Sequence, residues 1–143
     1  MTNTYKHHIQ YYETDQMGCV HHSNYIRWME EARVFLMEEM GCSYHSMEEA
    51  GILCPVLEVS CKYLKMARFG DSVTIRTKIS QYSGLRLALD YEMYLDSTGE
   101  LCTTGRSCHC FIYPDGRPLS LKRSFPQWDQ KFREMWEADR AGA

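Results

Sequence analysis

The hydrophobic pattern along this chain switches from a period of two to a helical period and back. Tyr5, His7, Ile9 and Tyr11 fall on one face of an alternating segment, with Lys6, His8 and Gln10 on the other, which predicts a half-buried strand. Tyr25, Trp28, Met29, Ala32, Phe35, Leu36 and Met40 then recur at steps of three and four, giving the broad apolar stripe of a helix whose other side carries Arg27, Glu30, Glu31 and Glu38. Ser23 is placed to cap this helix through its hydroxyl, and Gly41 to take the left-handed conformation after its last turn. Residues 43–51, SYHSMEEAG, predict a short helix or ordered loop ended by Gly51.

Alternation returns at Leu57, Val59, Cys61 and Tyr63. The apolar phase then slips by one to Leu64 and Met66, the mark of a bulge or sharp bend. Val73 to Ile79 and Leu85 to Leu95 are the clearest strands, joined through Ser83-Gly84, and Leu101 to Tyr113 is a last long strand in which Gly105 leaves room for a helix to approach. Ser124-Phe125-Pro126-Gln127 reads as a capping box opening a terminal helix, about 124–139. Its stripe of Phe125, Trp128, Phe132, Met135 and Trp136 is expected to cover an apolar patch of its own sheet or of a partner subunit. The order is strand, long helix, four antiparallel strands and terminal helix. It predicts an α+β protein of one domain spanning 1–143 with a core at about 5–114, and one long helix on one sheet face leaves apolar surface that favours association.

Composition narrows the function classes. With 44% hydrophobic and 24% charged residues the chain has the make-up of an ordinary globular protein, and no apolar run approaches the roughly 18 residues of a membrane-spanning helix. The opening MTNTYKHHIQ lacks the apolar core of a signal peptide, so the expected location is cytoplasmic. A net charge of −3 without a dominant Lys/Arg cluster argues against a nucleic-acid or membrane partner. Seven cysteines, an odd number, read as reduced thiols. In Cys108-His109-Cys110, strand alternation sends both sulfurs to one face and the imidazole to the other, so the three cannot converge on one metal.

The chemistry-bearing residues lie between the first strand and the long helix, at Glu13-Thr14-Asp15-Gln16-Met17-Gly18-Cys19-Val20-His21-His22. This places a carboxylate and two imidazoles against a helix N-terminus, whose free N–H groups and dipole can hold the partial negative charge of a polarised carbonyl oxygen. Gly18 permits positive φ and a close substrate approach. Backbone N–H groups from Val20 to Ser23 are candidate oxyanion donors.

The run Tyr-Tyr-x-Thr-Asp-x-x-Gly-x-Val-x-His-x-x-Tyr from Tyr11, followed by Met29-Glu30-x-Ala32-Arg33, resembles the signature of the hotdog-fold acyl-CoA thioesterases, nearest to the 4-hydroxybenzoyl-CoA thioesterase and YbgC-like branch. Its core specifies most positions over about fifteen residues. The resemblance implies a five-stranded antiparallel sheet wrapped around one long helix, here with an extra C-terminal helix, and assembly as a homodimer or homotetramer with sites at the dimer interface. It implies hydrolysis of an acyl-CoA to free acid and CoA, with no metal and no cofactor beyond the CoA of the substrate. An aspartate before a glycine-containing turn reads locally as a turn residue. The resemblance instead puts Asp15 at the position of the catalytic carboxylate, as nucleophile or general base. It also gives His22 and Tyr11 positioning roles. His21 departs from the aromatic residue usual at its place. Lys62, Lys65, Arg68, Arg86 and Arg106 are candidates for the CoA phosphates, each also readable as a solvated surface charge. The alternatives are a hotdog hydratase or dehydratase acting on acyl thioesters, and a non-catalytic acyl-thioester-binding dimer module.

Overall fold

A computed structural model describes residues 3–142. Strand β1 (Thr4–His8) leads into α1 (Ser23–Glu39) and α2 (Tyr44–Glu49). Four strands follow, β2 (Val56–Tyr63), β3 (Ser72–Tyr82), β4 (Arg86–Leu95) and β5 (Leu101–Cys110), and then α3 (Leu121–Ser124) and α4 (Pro126–Ala141). The strands form one antiparallel sheet in the order β1-β3-β4-β5-β2.

The alternating residues of β3 and β4 behave as their period requires. Val73, Ile75, Ile79, Leu87, Leu89, Tyr91 and Met93 are buried on one face, and Trp28, Met29, Ala32, Leu36 and Met37 of α1 complete the same core. Gly105 of β5, opposite Tyr91 and Cys61, lies against Met29 of the helix. A Cβ there would lie 2.9 Å from the Met29 sulfur and 3.1 Å from the Ser60 carbonyl oxygen, so only glycine leaves this space.

The last helix packs on its own sheet. Phe132 is buried, stacked on Tyr82 at 5.5 Å and edge-on to Phe111 at 5.7 Å. Among the described residues β1 pairs with β3 as far as Arg76, Thr77 N–H still donates to the Asn3 carbonyl (2.9 Å), and beyond it α4 serves the edge: Ile79 N–H donates to Asp139 (2.8 Å) and Trp136 Nε1 donates to the Ser80 carbonyl (3.3 Å). An edge that β1 leaves unpaired is thereby covered. The predicted capping box is not formed. Ser124 meets the Tyr113 hydroxyl (3.0 Å), Phe125 precedes α4, and Ser120 caps the extra short α3 instead.

Exposed apolar surface is found at the opposite edge of the sheet. Among the described residues strand β2 pairs only with β5, and Val56, Leu57, Val59 and Tyr63, with Leu64 and Met66 just beyond, are all exposed. The phase slip after Tyr63 marks the end of this strand, where the N–H groups of Leu64 and Lys65 both donate to the Cys102 carbonyl; the register irregularity inside β2 falls at its start, between Val56 and Glu58.

A polar chain crosses the core: Arg33 donates to Tyr44 (2.9 Å) and Tyr91 (3.2 Å), Tyr91 meets Ser107 (2.7 Å), and Ser107 meets His109 Nε2 (2.8 Å). Burial, with the Arg33 cation nearby, pushes the His109 imidazole down to about 4. The unfolded chain then takes up a proton between pH of about 6.5 and about 4 that the folded chain refuses. Stability is full above this window and falls as pH drops through it, by at most about 1.4 kcal/mol per pH unit. Urea unfolding at about pH 7 and about pH 4.5 is expected to show that loss in the wild type and a smaller one in His109→Gln.

Candidate active site

The segment between β1 and α1 is a short turn of 3-10 helix, Tyr11–Glu13, followed by a tight hairpin. Thr14 and Val20 pair antiparallel, Asp15 N–H donates to the Cys19 carbonyl (2.9 Å), and His21 N–H donates to the Glu13 carbonyl (2.9 Å). Gly18 closes the turn at φ +79°, donating to the Asp15 carbonyl (3.0 Å), a conformation that favours glycine. The Asp15 carboxylate is half-buried. Its Oδ1 accepts Met17 N–H at 2.9 Å, and its Oδ2 makes no hydrogen bond among the described residues. One oxygen therefore fixes the group while the other is left free.

The hairpin delivers the chain to the start of α1 at His22, the residue before its first turn. Ser23 is the first helical residue, not the cap. The capping acceptor is the His21 ring, whose Nδ1 takes Ser23 N–H (3.2 Å) and meets the Ser23 hydroxyl (2.9 Å). Val20 N–H goes to the Ala67 carbonyl (2.8 Å). Of the four N–H groups from Val20 to Ser23, only that of His22 makes no hydrogen bond among the described residues. The His22 ring stacks on His21 at 4.2 Å, and its carbonyl accepts the Tyr63 hydroxyl (3.1 Å).

A cleft of about 360 Å³ opens here, with Asp15, His22 and Lys65 among its ionisable groups and Val20, Tyr25, Tyr63 and Leu64 among its walls. Tyr63 stands edge-on to Tyr25 at 5.1 Å, at the free edge of β2. By pattern Tyr63 is only a strand residue, although the phase slip just after it marks the place where β2 turns into the cleft wall.

Other candidates fall elsewhere. Tyr11 is not a core-facing strand residue: β1 has ended, and its ring is 76% exposed, edge-on to Phe69 and outside the cleft wall. Arg68 lies beside the hairpin and donates to the Gly18 carbonyl (3.1 Å). Lys62 points to the opposite sheet face from Tyr63, and Arg106 lies on that same face, bound to Asp90 (2.9 Å). Arg86 pairs with Cys110 at the far end of β4, seven residues and roughly 23 Å from Met93, which lies across from Thr103 and Tyr63 beside the cleft. Within one chain, Arg86 is therefore remote from Asp15.

Five antiparallel strands wrapped on one long helix, with a carboxylate hairpin at that helix's N-terminus, define a hotdog-fold protein. The chain matches the Thioesterase-like superfamily over residues 9–134 and belongs to it. It is 34% identical over 127 residues to the putative acyl-CoA thioesterase YneP of Bacillus subtilis, covering 88% of this chain and 91% of that one. The structure of a DHNA-CoA thioesterase from Staphylococcus aureus superposes with a TM-score of 0.91 at 33% identity, covering 98% of this chain and 94% of that one. Similarity to the acyl-CoA thioester hydrolase YbgC of Escherichia coli is narrower, 27% over 79 residues, or 55% of this chain and 59% of that one.

Proposed function

We propose that this protein is an acyl-CoA thioesterase that hydrolyses an acyl thioester to a carboxylic acid and CoA, with Asp15 as nucleophile or general base. The observation that carries this reading is an Asp15 Oδ2 and a His22 N–H at the N-terminus of α1 that make no hydrogen bond among the described residues, in a cleft that both residues line. A thioester carbonyl held by that N–H and the helix dipole is polarised toward the charge of a tetrahedral intermediate. Asp15 then attacks the carbonyl carbon, expelling the CoA thiolate and leaving a mixed anhydride for water to open, or it takes the proton of an attacking water. Either route uses the same free oxygen and requires no metal. The His22 ring and Tyr63 wall the reacting centre, and the proposed partners of the CoA phosphates are Lys65, which lines the cleft and pairs with Glu100 (3.6 Å), and Arg68 beside the hairpin. Kinship to the YbgC-like branch rests on the Tyr11–Tyr25 motif.

Product identification by mass spectrometry tests this reading. Hydrolysis yields free acid and CoA in equal amounts from a saturated acyl-CoA. A hydratase would instead add water to an enoyl-CoA and leave the thioester intact, and a binding module would return its ligand unchanged.

The proposed assembly is a homodimer, or a dimer of dimers, formed through the free edge of β2. Support comes from this eight-residue edge strand, which among the described residues pairs on one side alone, and from its exposed apolar side chains, not from the stripe of α4, which its own sheet covers. Light scattering at micromolar concentration is expected to give at least twice the 16.8 kDa chain mass; a monomer would contradict it.

A further inference from the structure

Glu13 is a carboxylate in a place where carboxylates are rarely found. It is 4% exposed, two residues before Asp15, and burying a charge there is costly unless hydrogen bonds hold it. The structure supplies them from three elements. Oε1 accepts Gln10 N–H (2.7 Å) and faces His7 Nε2 of β1 (2.9 Å), and Oε2 accepts the Trp28 indole N–H of α1 (2.7 Å). Burial raises the affinity of this carboxylate for a proton, but the bonds from His7, Gln10 and Trp28 outweigh it and hold Glu13 below its ordinary value. The main chain adds two more ties, since the Glu13 carbonyl accepts His21 N–H (2.9 Å) and the Asn24 side-chain amide (2.8 Å). His7 is itself held on its other nitrogen by Glu31 (3.2 Å), which also accepts the Tyr5 hydroxyl (2.8 Å).

These ties meet at one mechanical point. Glu13 and His21 are the two ends of the hairpin that carries Asp15 in its first turn and hands the chain to His22. The side chain of Glu13 fastens that base to β1 on one side and to α1 on the other. With its acceptor sites occupied and almost no exposed surface, Glu13 cannot reach a substrate. We propose that Glu13 is a positioning residue, which acts by fixing the distance and direction of the Asp15 carboxylate relative to the N-terminus of α1. This rests on the reading of Asp15 given above.

The test is a double-mutant cycle on thioester hydrolysis. Gln in place of Glu13 keeps the volume but turns an NH₂ toward N–H donors, so the hairpin base loosens without a cavity. Glu13→Gln is expected to lower kcat by about tenfold or more with KM little changed, because small displacements of a reacting group are costly. In an Asp15→Asn background the same change should have almost no further effect on kcat, since the group it positions is gone. Trp28→Phe, which removes only the donor from α1, is expected to lower kcat in the same sense while circular dichroism stays that of a folded protein. Equal losses in both backgrounds would mean that Glu13 serves only folding, and a folded Glu13→Gln with wild-type kcat would overturn the proposal outright. Asp15→Asn alone separates the two ideas: if it collapses kcat while Glu13→Gln does not, only the positioning role fails, and if it retains kcat, both fail.

Discussion

Asp15→Asn is expected to lower kcat by about 10² or more, roughly 3 kcal/mol in the barrier, with KM little changed. Asparagine nearly matches the volume of aspartate and keeps the oxygen that accepts Met17 N–H, so the hairpin turn survives. What it loses is the charge and the free oxygen that attacks the carbonyl or takes the proton of water. An interaction made only in the transition state lowers kcat and kcat/KM together, which is the pattern predicted. His22→Ala should be the milder defect, because the backbone N–H proposed to polarise the carbonyl remains. Retention of more than about a tenth of wild-type kcat by Asp15→Asn would mean that the carboxylate is structural.

The second large effect concerns the fold. Phe132→Ala is expected to destabilise the protein by about 3–5 kcal/mol, since it removes a buried ring that joins α4 to Tyr82 and Phe111 and leaves a cavity the rigid strands cannot close. For a chain of this size that corresponds to a fall in Tm of roughly 10 °C or more. Urea or thermal unfolding checks it. A loss below about 1 kcal/mol would show that α4 contributes little to the stability of the sheet.

Much of the architecture was legible because one buried face forces a strict period. Val73 to Ile79 and Leu87 to Leu95 could only be strands against a core, and the stripe from Tyr25 to Met40 could only be a helix covering them. Gly105 signalled the close approach of the helix, which Met29 makes. The structure differs from the pattern where a side-chain hydrogen bond to the backbone, which periodicity does not encode, sets the course of the chain. Tyr11 continues the alternation of β1 on paper, but Glu13 reaches back to Gln10 N–H and turns the chain before Tyr11 can pair. Ser23 and Ser124 suit caps by type, yet His22 and Phe125 hold those places, with the His21 ring as the acceptor for α1, because the flanking turns leave the serines elsewhere.

The site divides in the same way. The motif pointed to Asp15 and His22, which share the cleft, because their spacing across a tight hairpin is a local property. The cations were harder to read. Alternation says that Lys62 and Tyr63 face opposite ways, but nothing local says which face or which end of the sheet carries the cleft, and Arg86 lies at the other end. The stripe of α4 announced an apolar face without naming its cover, which is the edge and end of its own sheet. Glu13 opens the chemistry-bearing stretch, but nothing local in it announces burial, because the indole that meets it belongs to Trp28, fifteen positions on.

The most direct measurement of the central claim is free-thiol release from a panel of acyl-CoAs of increasing chain length, run in parallel with wild-type protein and Asp15→Asn. The account predicts that wild type releases thiol from at least one member with multiple turnovers, and that Asp15→Asn, folded and still able to bind CoA, releases it about 10²-fold more slowly or worse. Thiol release that is absent across the panel, or equal in the two proteins, would contradict it.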